Sequence, residues 1–411
     1  MIVAYYFKVV LGRNRLYNLF RPNSVIFLFL LIFYLIPSLF GLNILNVLLV
    51  GIDVPSASEK MNFAIFVLVV SLIFRPATKK HLLRKVSNPH FYGDRLVILC
   101  LFIYICFVSI LARDLLYNLF TNFSTSSESM KLRNGGAFKF FLIASIEFIP
   151  LVYLIYTKRT KNIVLLLLVL VSSIFIIALG ARSLLFSMIL SLLFYFISIN
   201  ALSLRKLFLT GSVILSLFLI VSSNRSGKTN LSEYLLNNLD QVVTTLVVID
   251  KIENHEVGYQ YGATFVDAMY FFVPSSLYAD KPKSYAPSRL IYPDMISRGV
   301  SENTKHTMNF GIIGRSYLEF GFLGVVLLGV LFAYILDVIY QMIRLGNFRT
   351  KERAFLVIFS YAHIHQLILL GWTSHYYSIV LFNWIVFSVL VESIKIAKVI
   401  IKQRTKIYES I

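Results

Sequence analysis

Ile163-Val-Leu-Leu-Leu-Leu-Val-Leu-Val-Ser-Ser-Ile-Phe-Ile-Ile-Ala-Leu-Gly-Ala-Arg-Ser183 runs on without another charge to Ile199, so nearly forty apolar residues carry one charge, Arg182. A helix needs about 20 apolar residues to cross a bilayer, and this length fits two. Glycine beside arginine in its middle reads as the tip of a tight helical hairpin. Similar runs recur near 24–40, 61–75, 96–112, 139–156, 207–222, 318–341, 354–371 and 377–396. With 163–180 and 183–199 they make about ten segments of membrane-crossing length.

Composition agrees. The 411 residues are 58% hydrophobic and 14% charged, with a mean hydropathy of +0.76. A soluble chain is roughly a quarter charged. The net charge of +19 does not require nucleic acid as a partner, because most cations lie in short segments between apolar runs. With a cytoplasmic N-terminus, the inside segments hold 24 Lys or Arg, and everything outside except one long loop holds 6. Positive residues favour the cytoplasmic side, so both termini are expected there. No cleavable signal peptide is expected, since the first apolar run follows four basic residues and no small-x-small site comes after it. Cys100 and Cys106 face different sides of one helix and suggest neither a disulfide nor a metal pair. The fold expected is an all-α polytopic membrane protein: a membrane domain over 1-222, a periplasmic loop of short helices over 223-316, and a second membrane domain over 317-411.

That loop is too long for a connector. Its first half, to Asp280, holds three basic and seven acidic residues. From Lys281 to Arg315 it holds six cations against Asp294 and Glu302. Cations beside a membrane suit an anionic, lipid-linked substrate. Asn230-Leu-Ser-Glu233 has capping-box spacing, and Leu235, Leu239, Val242, Leu246 and Ile249 form one apolar helical face behind it. A second short helix is expected over 264–273, ending at Pro274.

Several chemistries lack their motifs. There is no Gly-x-x-x-x-Gly-Lys-Ser/Thr loop, no Asp-x-Asp, no His-Glu-x-x-His and no Gly-x-Ser-x-Gly. No cofactor and no metal are expected. Intramembrane acids are few, Glu147 and Glu392 being the clearest, where a proton- or sodium-coupled transporter usually shows more. His363 and His365 lie on different sides of a helix and read as two separate hydrogen-bonded groups.

Three stretches carry a family resemblance: Gly180-Ala-Arg-Ser183, Pro274-Ser-Ser-Leu-Tyr-Ala-Asp-Lys-Pro282, and Tyr317-Leu-Glu-Phe-Gly-Phe-Leu-Gly324. With the large late loop, they resemble the Wzy-type O-antigen and oligosaccharide repeat-unit polymerases. The resemblance implies a metal-independent glycosyltransferase of the bacterial inner membrane. Such an enzyme moves a growing glycan from undecaprenyl diphosphate onto the next lipid-linked repeat unit at the periplasmic face. It also implies a chain-length regulator protein as a partner, and no nucleic acid. Related O-antigen ligases carry a histidine followed by spaced glycines. His306 with Gly311 and Gly314 echoes that pattern at a different spacing, which argues against a ligase. A flippase of the same lipid is the other rival, and it would need short outer loops.

Under this resemblance the residues make chemical sense. Displacing a lipid diphosphate concentrates negative charge, which guanidinium groups grip in a bidentate fork. Arg182, Arg289, Arg298 and Arg315 are the catalytic candidates, with His306 as a base for the acceptor hydroxyl. Lys281, Lys305, Tyr278, Tyr317 and Glu319 are the substrate-binding candidates, and Asp294 or Glu319 are further choices for the base. Each has a plainer reading. Arg182 at a hairpin tip also suits headgroup contact, a lone loop arginine is commonly a surface charge, and glycines at three-residue steps also suit close helix packing.

Overall fold

The computed structural model describes residues 54–73, 94–122, 137–158, 163–179, 182–199, 241–263, 311–346, 351–364 and 380–394, with a few single positions besides. Among these residues the chain is all-α, with no strand. One helical run, Lys139–Thr157, is long and apolar enough to cross a membrane, and three are if two bent helix pairs each count as one span. The chain forms two compact units.

The first unit holds α1 (Val54–Ile73), α8 (Gln241–Glu253) and most of α9 (Gly311–Arg344). α1 packs along α8. Leu246 and Ile249 of α8 are buried, but so is every residue from Thr244 to Asp250, so this stretch is covered all round and not on one apolar face. Leu235, Leu239 and the capping box fall outside the described residues, as does the expected helix over 264–273. Two helices extend beyond the apolar runs that mark them. α1 begins at Val54, before the apolar run at 61–75, and takes in Glu59 and Lys60. α9 begins at Gly311, so the last residues assigned to the long loop are helical. Ile312 and Ile313 are buried there, and that burial carries the helix back past Arg315.

The second unit holds α2 (Asp94–Leu111), α3 (Arg113–Asn122), α4 (Ala137–Ala144), a 3₁₀ turn (Ser145–Phe148), α5 (Ile149–Thr157), α6 (Ile163–Ala178), α7 (Arg182–Ser198), α10 (Lys351–Ala362) and α11 (Val380–Ile394). α6 and α7 pack together, while Gly180 and Ala181 of the expected hairpin tip lie outside the described residues. The apolar run at 96–112 does not end in a loop. It bends by 74° at Ala112 into α3. The run at 139–156 is not one uniform helix either, for a reason visible in its sequence. Pro150 has no N–H for the carbonyl of Ile146, so the α-ladder cannot close there. The turn tightens to 3₁₀, and Ser172 Oγ from α6 donates to Ile146 O at 3.1 Å.

α5 lies at the centre of this unit, with α2, α6, α7 and α10 around it. Its aromatic core joins Phe148, Phe355, Phe359 and Phe387. Phe355 stacks on Phe387 at 3.8 Å between centroids and on Phe359 at 5.1 Å, and Phe148 meets Phe355 edge-on at 5.5 Å. Thr350 caps α10 by accepting from Arg353 N at 3.1 Å, with Glu352 in the first turn. The opposite surfaces are apolar. On α6, Ile163, Leu166, Leu167, Leu170 and Ile174 are exposed along one stripe while Ser172 and Ser173 are buried.

Phe355 touches three rings and is wholly buried, so truncating it leaves a void that its neighbours cannot close. Phe355→Ala is expected to destabilise the second unit by about 3–5 kcal/mol. Thermal unfolding of the detergent-solubilised protein measures this, and an unchanged midpoint would contradict the described core.

Candidate functional site

The motif Tyr317–Gly324 builds the site in the first unit. α9 is broken inside it. Phe320 (φ −143°, ψ 22°) and Gly321 (φ 61°, ψ −144°) leave helical geometry, and φ there favours a residue without Cβ. A break in an apolar helix releases carbonyls that must find new donors. Leu318 O accepts from Gln260 N, and Glu319 O from Tyr261 N, each at 3.0 Å. Glu319 Oε2 then accepts from Gly262 N at 2.8 Å. Three consecutive amides of the turn after α8 are therefore held on the broken helix. The turn itself needs left-handed backbone at His255, Tyr261 and Gly262. At Gly324, a Cβ would stand 2.2 Å from Ser316 O, so the chain passes too close there for any side chain.

Glu319 and Arg315 are buried together, with Arg315 Nε 3.5 Å from Glu319 Oε1, one helical turn apart. Tyr317 is buried and donates to Glu253 Oε1, while Lys60 of α1 donates to Glu253 Oε2. These hydrogen bonds, that from Lys60 first, hold the Glu253 carboxyl below the ordinary carboxylate range. Glu253 keeps a third of its side chain exposed and lines a cleft of about 220 Å³ with Ile252, His255, Val257, Gly258 and Tyr259. Beside it, Tyr259 and Tyr261 meet at 6.1 Å, Tyr261 and Phe320 at 6.1 Å, and Tyr259 and Tyr317 at 6.4 Å. Tyr259, Tyr261 and Phe320 are all partly exposed.

A second polar centre lies in the core of the other unit. Glu147 of the 3₁₀ turn is wholly buried, and its Oε1 lies 3.2 Å from His363 Nε2 and accepts from Asn383 Nδ2 at 3.0 Å. His363 is thus the separate, hydrogen-bonded group inside the bundle that its spacing suggests. His365 lies outside the described residues.

The candidates from sequence are placed unevenly. Arg315, Tyr317 and Glu319 come together at the break in α9. Arg182 is the first residue of α7. Tyr278, Lys281, Arg289, Arg298, Lys305 and His306 lie outside the described residues, as does Asp294. Glu253, Lys60 and Tyr259 were not singled out by sequence. The available signal was Gly258-Tyr-Gln-Tyr-Gly262, two tyrosines between turn-forming glycines. Among the described residues, no group of three or more His, Cys, Asp or Glu is placed to hold a metal ion. Comparison with protein-family models, curated proteins and solved structures finds no match.

The lowered Glu253 carboxyl has a consequence for stability. Its pairing contributes above the unfolded carboxyl value near 4.3 and is lost as pH falls through the lower folded value. The thermal midpoint of the wild-type chain should therefore drop further than that of Glu253→Gln between about pH 6 and pH 3. The partial exposure keeps the difference small and sensitive to salt. Equal drops in both proteins would remove the pairing as a source of pH-dependent stability.

Proposed function

We propose that this chain is a bacterial inner-membrane glycosyltransferase that polymerises undecaprenyl-diphosphate-linked oligosaccharide repeat units on the periplasmic face. In this reading the apolar runs form about ten spans, both termini are cytoplasmic, and the 223–316 loop is periplasmic. The exposed apolar stripe of α6 over a serine-bearing buried side supports a lipid-facing surface. The opposite charges of the loop halves support an anionic lipid-linked substrate.

The observation that carries the reading is the Tyr317–Gly324 motif. It is one of the three stretches of family resemblance, and it also organises the cleft. It fixes the 258–262 turn, donates Tyr317 to Glu253, and sets Tyr259, Tyr261 and Phe320 at the edge. Aromatic faces beside a fixed carboxylate suit sugar rings and their hydroxyls. Arg182, Arg289 and Arg298, with Lys281 and Lys305, supply charge for the diphosphate, and His306 takes the acceptor proton. Arg315 acts on its neighbour Glu319 and so steadies the break. The chemistry is an inverting displacement in which the acceptor oxygen bonds the anomeric carbon as the lipid diphosphate leaves.

Deletion in the native host, with surface glycan resolved on a gel, tests this directly. A surface lipid carrying one repeat unit is the expected product, whereas loss of all surface glycan would point to a ligase or a flippase. In the complemented strain, Arg182→Ala, Arg289→Ala or Arg298→Ala should cut long-chain product about 100-fold with the protein still in the membrane. Lysine should rescue poorly, because it cannot form the bidentate fork. Full activity in all three alanine variants would remove the diphosphate site.

A further inference from the structure

The cleft at Glu253 is built in a way that selects among ligands. The carboxylate accepts from Tyr317 at Oε1 and from Lys60 at Oε2, while a third of the side chain stays exposed and lines the cleft. An ionised carboxylate offers about four acceptor positions, so it can take further donors from an entering ligand. Those two bonds come from α9 and α1, so the acceptor is held in place before anything enters. Tyr259 forms another wall, partly exposed and braced by Tyr261 and Tyr317. Its place depends on Gly321, where a Cβ would stand 3.1 Å from the Tyr259 hydroxyl. The glycine that breaks α9 therefore also makes room for this ring. An aromatic face held beside a fixed acceptor suits a sugar, whose ring face is apolar and whose edge carries hydroxyls.

Charge narrows the class of sugar. An aromatic wall beside a carboxylate is also what a cationic ligand seeks. Here Lys60 already occupies the cationic side of Glu253, and next to it Lys251 pairs with Glu256 at 2.8 Å. An amino sugar would have to share the carboxylate with Lys60. A uronic acid, or the lipid diphosphate itself, would meet the carboxylate head-on. A neutral ring that donates hydroxyls avoids both conflicts. The size of the cleft, about 220 Å³, lies below the roughly 300–1,000 Å³ of sites for drug-sized ligands. It has room for one ring and not for a whole repeat unit.

We propose that this cleft is a subsite for one neutral pyranose of the glycan, with Tyr259 against the ring face and Glu253 accepting from its hydroxyls, and that Lys60 sets the selection against charged sugars. The proposal rests on the polymerase reading, which supplies a saccharide as the ligand. Lys60 acts through Glu253 and is a specificity-determining residue. Without its ammonium, the carboxylate would stand beside the Tyr259 ring with its charge unanswered, and the cleft would match a sugar carrying an amine. Lys60→Met removes the charge and keeps an unbranched stem along α1.

The test uses the full chain in lipid nanodiscs at about pH 6, where a sugar amine is charged and a uronic acid ionised. Saturation-transfer NMR against empty nanodiscs reads binding. The neutral probes are the methyl glycosides of glucose, galactose and N-acetylglucosamine, and the charged probes are glucosamine and glucuronate. At least one neutral glycoside should bind about tenfold more tightly than either charged sugar, and Tyr259→Ala should weaken it about tenfold. Lys60→Met should turn the preference to glucosamine, and a folded variant with the wild-type preference overturns the role of Lys60. If Lys60→Met fails to fold, Glu253→Gln decides, since it keeps the side-chain shape and should weaken the neutral glycoside about tenfold. Three results overturn the subsite: no neutral binding, neutral binding that Tyr259→Ala and Glu253→Gln leave unchanged, or a wild type that prefers a charged sugar. The deletion strain keeps the two readings apart. Single-repeat lipid in that strain with no glycoside binding removes the subsite alone. Glycoside binding by a chain whose deletion leaves long glycan intact removes the polymerase and keeps the subsite.

Discussion

A backbone carbonyl released from its helix inside an apolar structure must be given another donor, and both units are arranged around such a carbonyl. In one, Pro150 takes the usual donor from Ile146 O, which accepts instead from Ile149 N within the 3₁₀ turn and takes a second bond from Ser172 of α6. In the other, the break at Phe320 and Gly321 frees Leu318 O and Glu319 O, and the backbone of Gln260 and Tyr261 answers. A kink here is a joint between two segments and not a defect in one. The penalty for an unpaired group in a dry interior, of order 1–3 kcal/mol, is what makes each joint specific.

The same requirement explains why polar groups gather at the breaks. Glu147 sits in the 3₁₀ turn that precedes Pro150, and Glu319 sits directly before the broken residues of α9. Each carboxylate reaches a distant segment: Glu147 meets α10 and α11, and Glu319 meets the turn after α8. An irregular backbone at these places is tolerated because it is buried against protein.

Much of the helical plan could be read from the sequence. The apolar character of the described helices and a hydrogen-bonded His363 inside the bundle follow from periodicity and spacing. What could not be read was the partner of each polar residue. Glu253 looks like one of seven acids in a charged half-loop until Lys60 and Tyr317 are found beside it. Arg315 counts as a loop cation until α9 is seen to start at Gly311. Pro150 announces a break, but not that a serine more than twenty residues later would add a bond to the carbonyl before it. Apolar burial has a local signature in one helix, whereas pairing joins residues that are far apart in the chain.

That distance has a meaning in the order of synthesis. The amide of Gln260 bonds a carbonyl 58 residues further on (318 less 260), which at 5–20 residues per second is about 3–12 s of elongation. Glu147 waits longer, 216 residues for His363 and 236 for Asn383. The earliest buried acid in the described chain therefore leaves the ribosome long before its partners. The C-terminal quarter completes a core begun in the first half, and a chain released early would carry its central helix with the polar face still open.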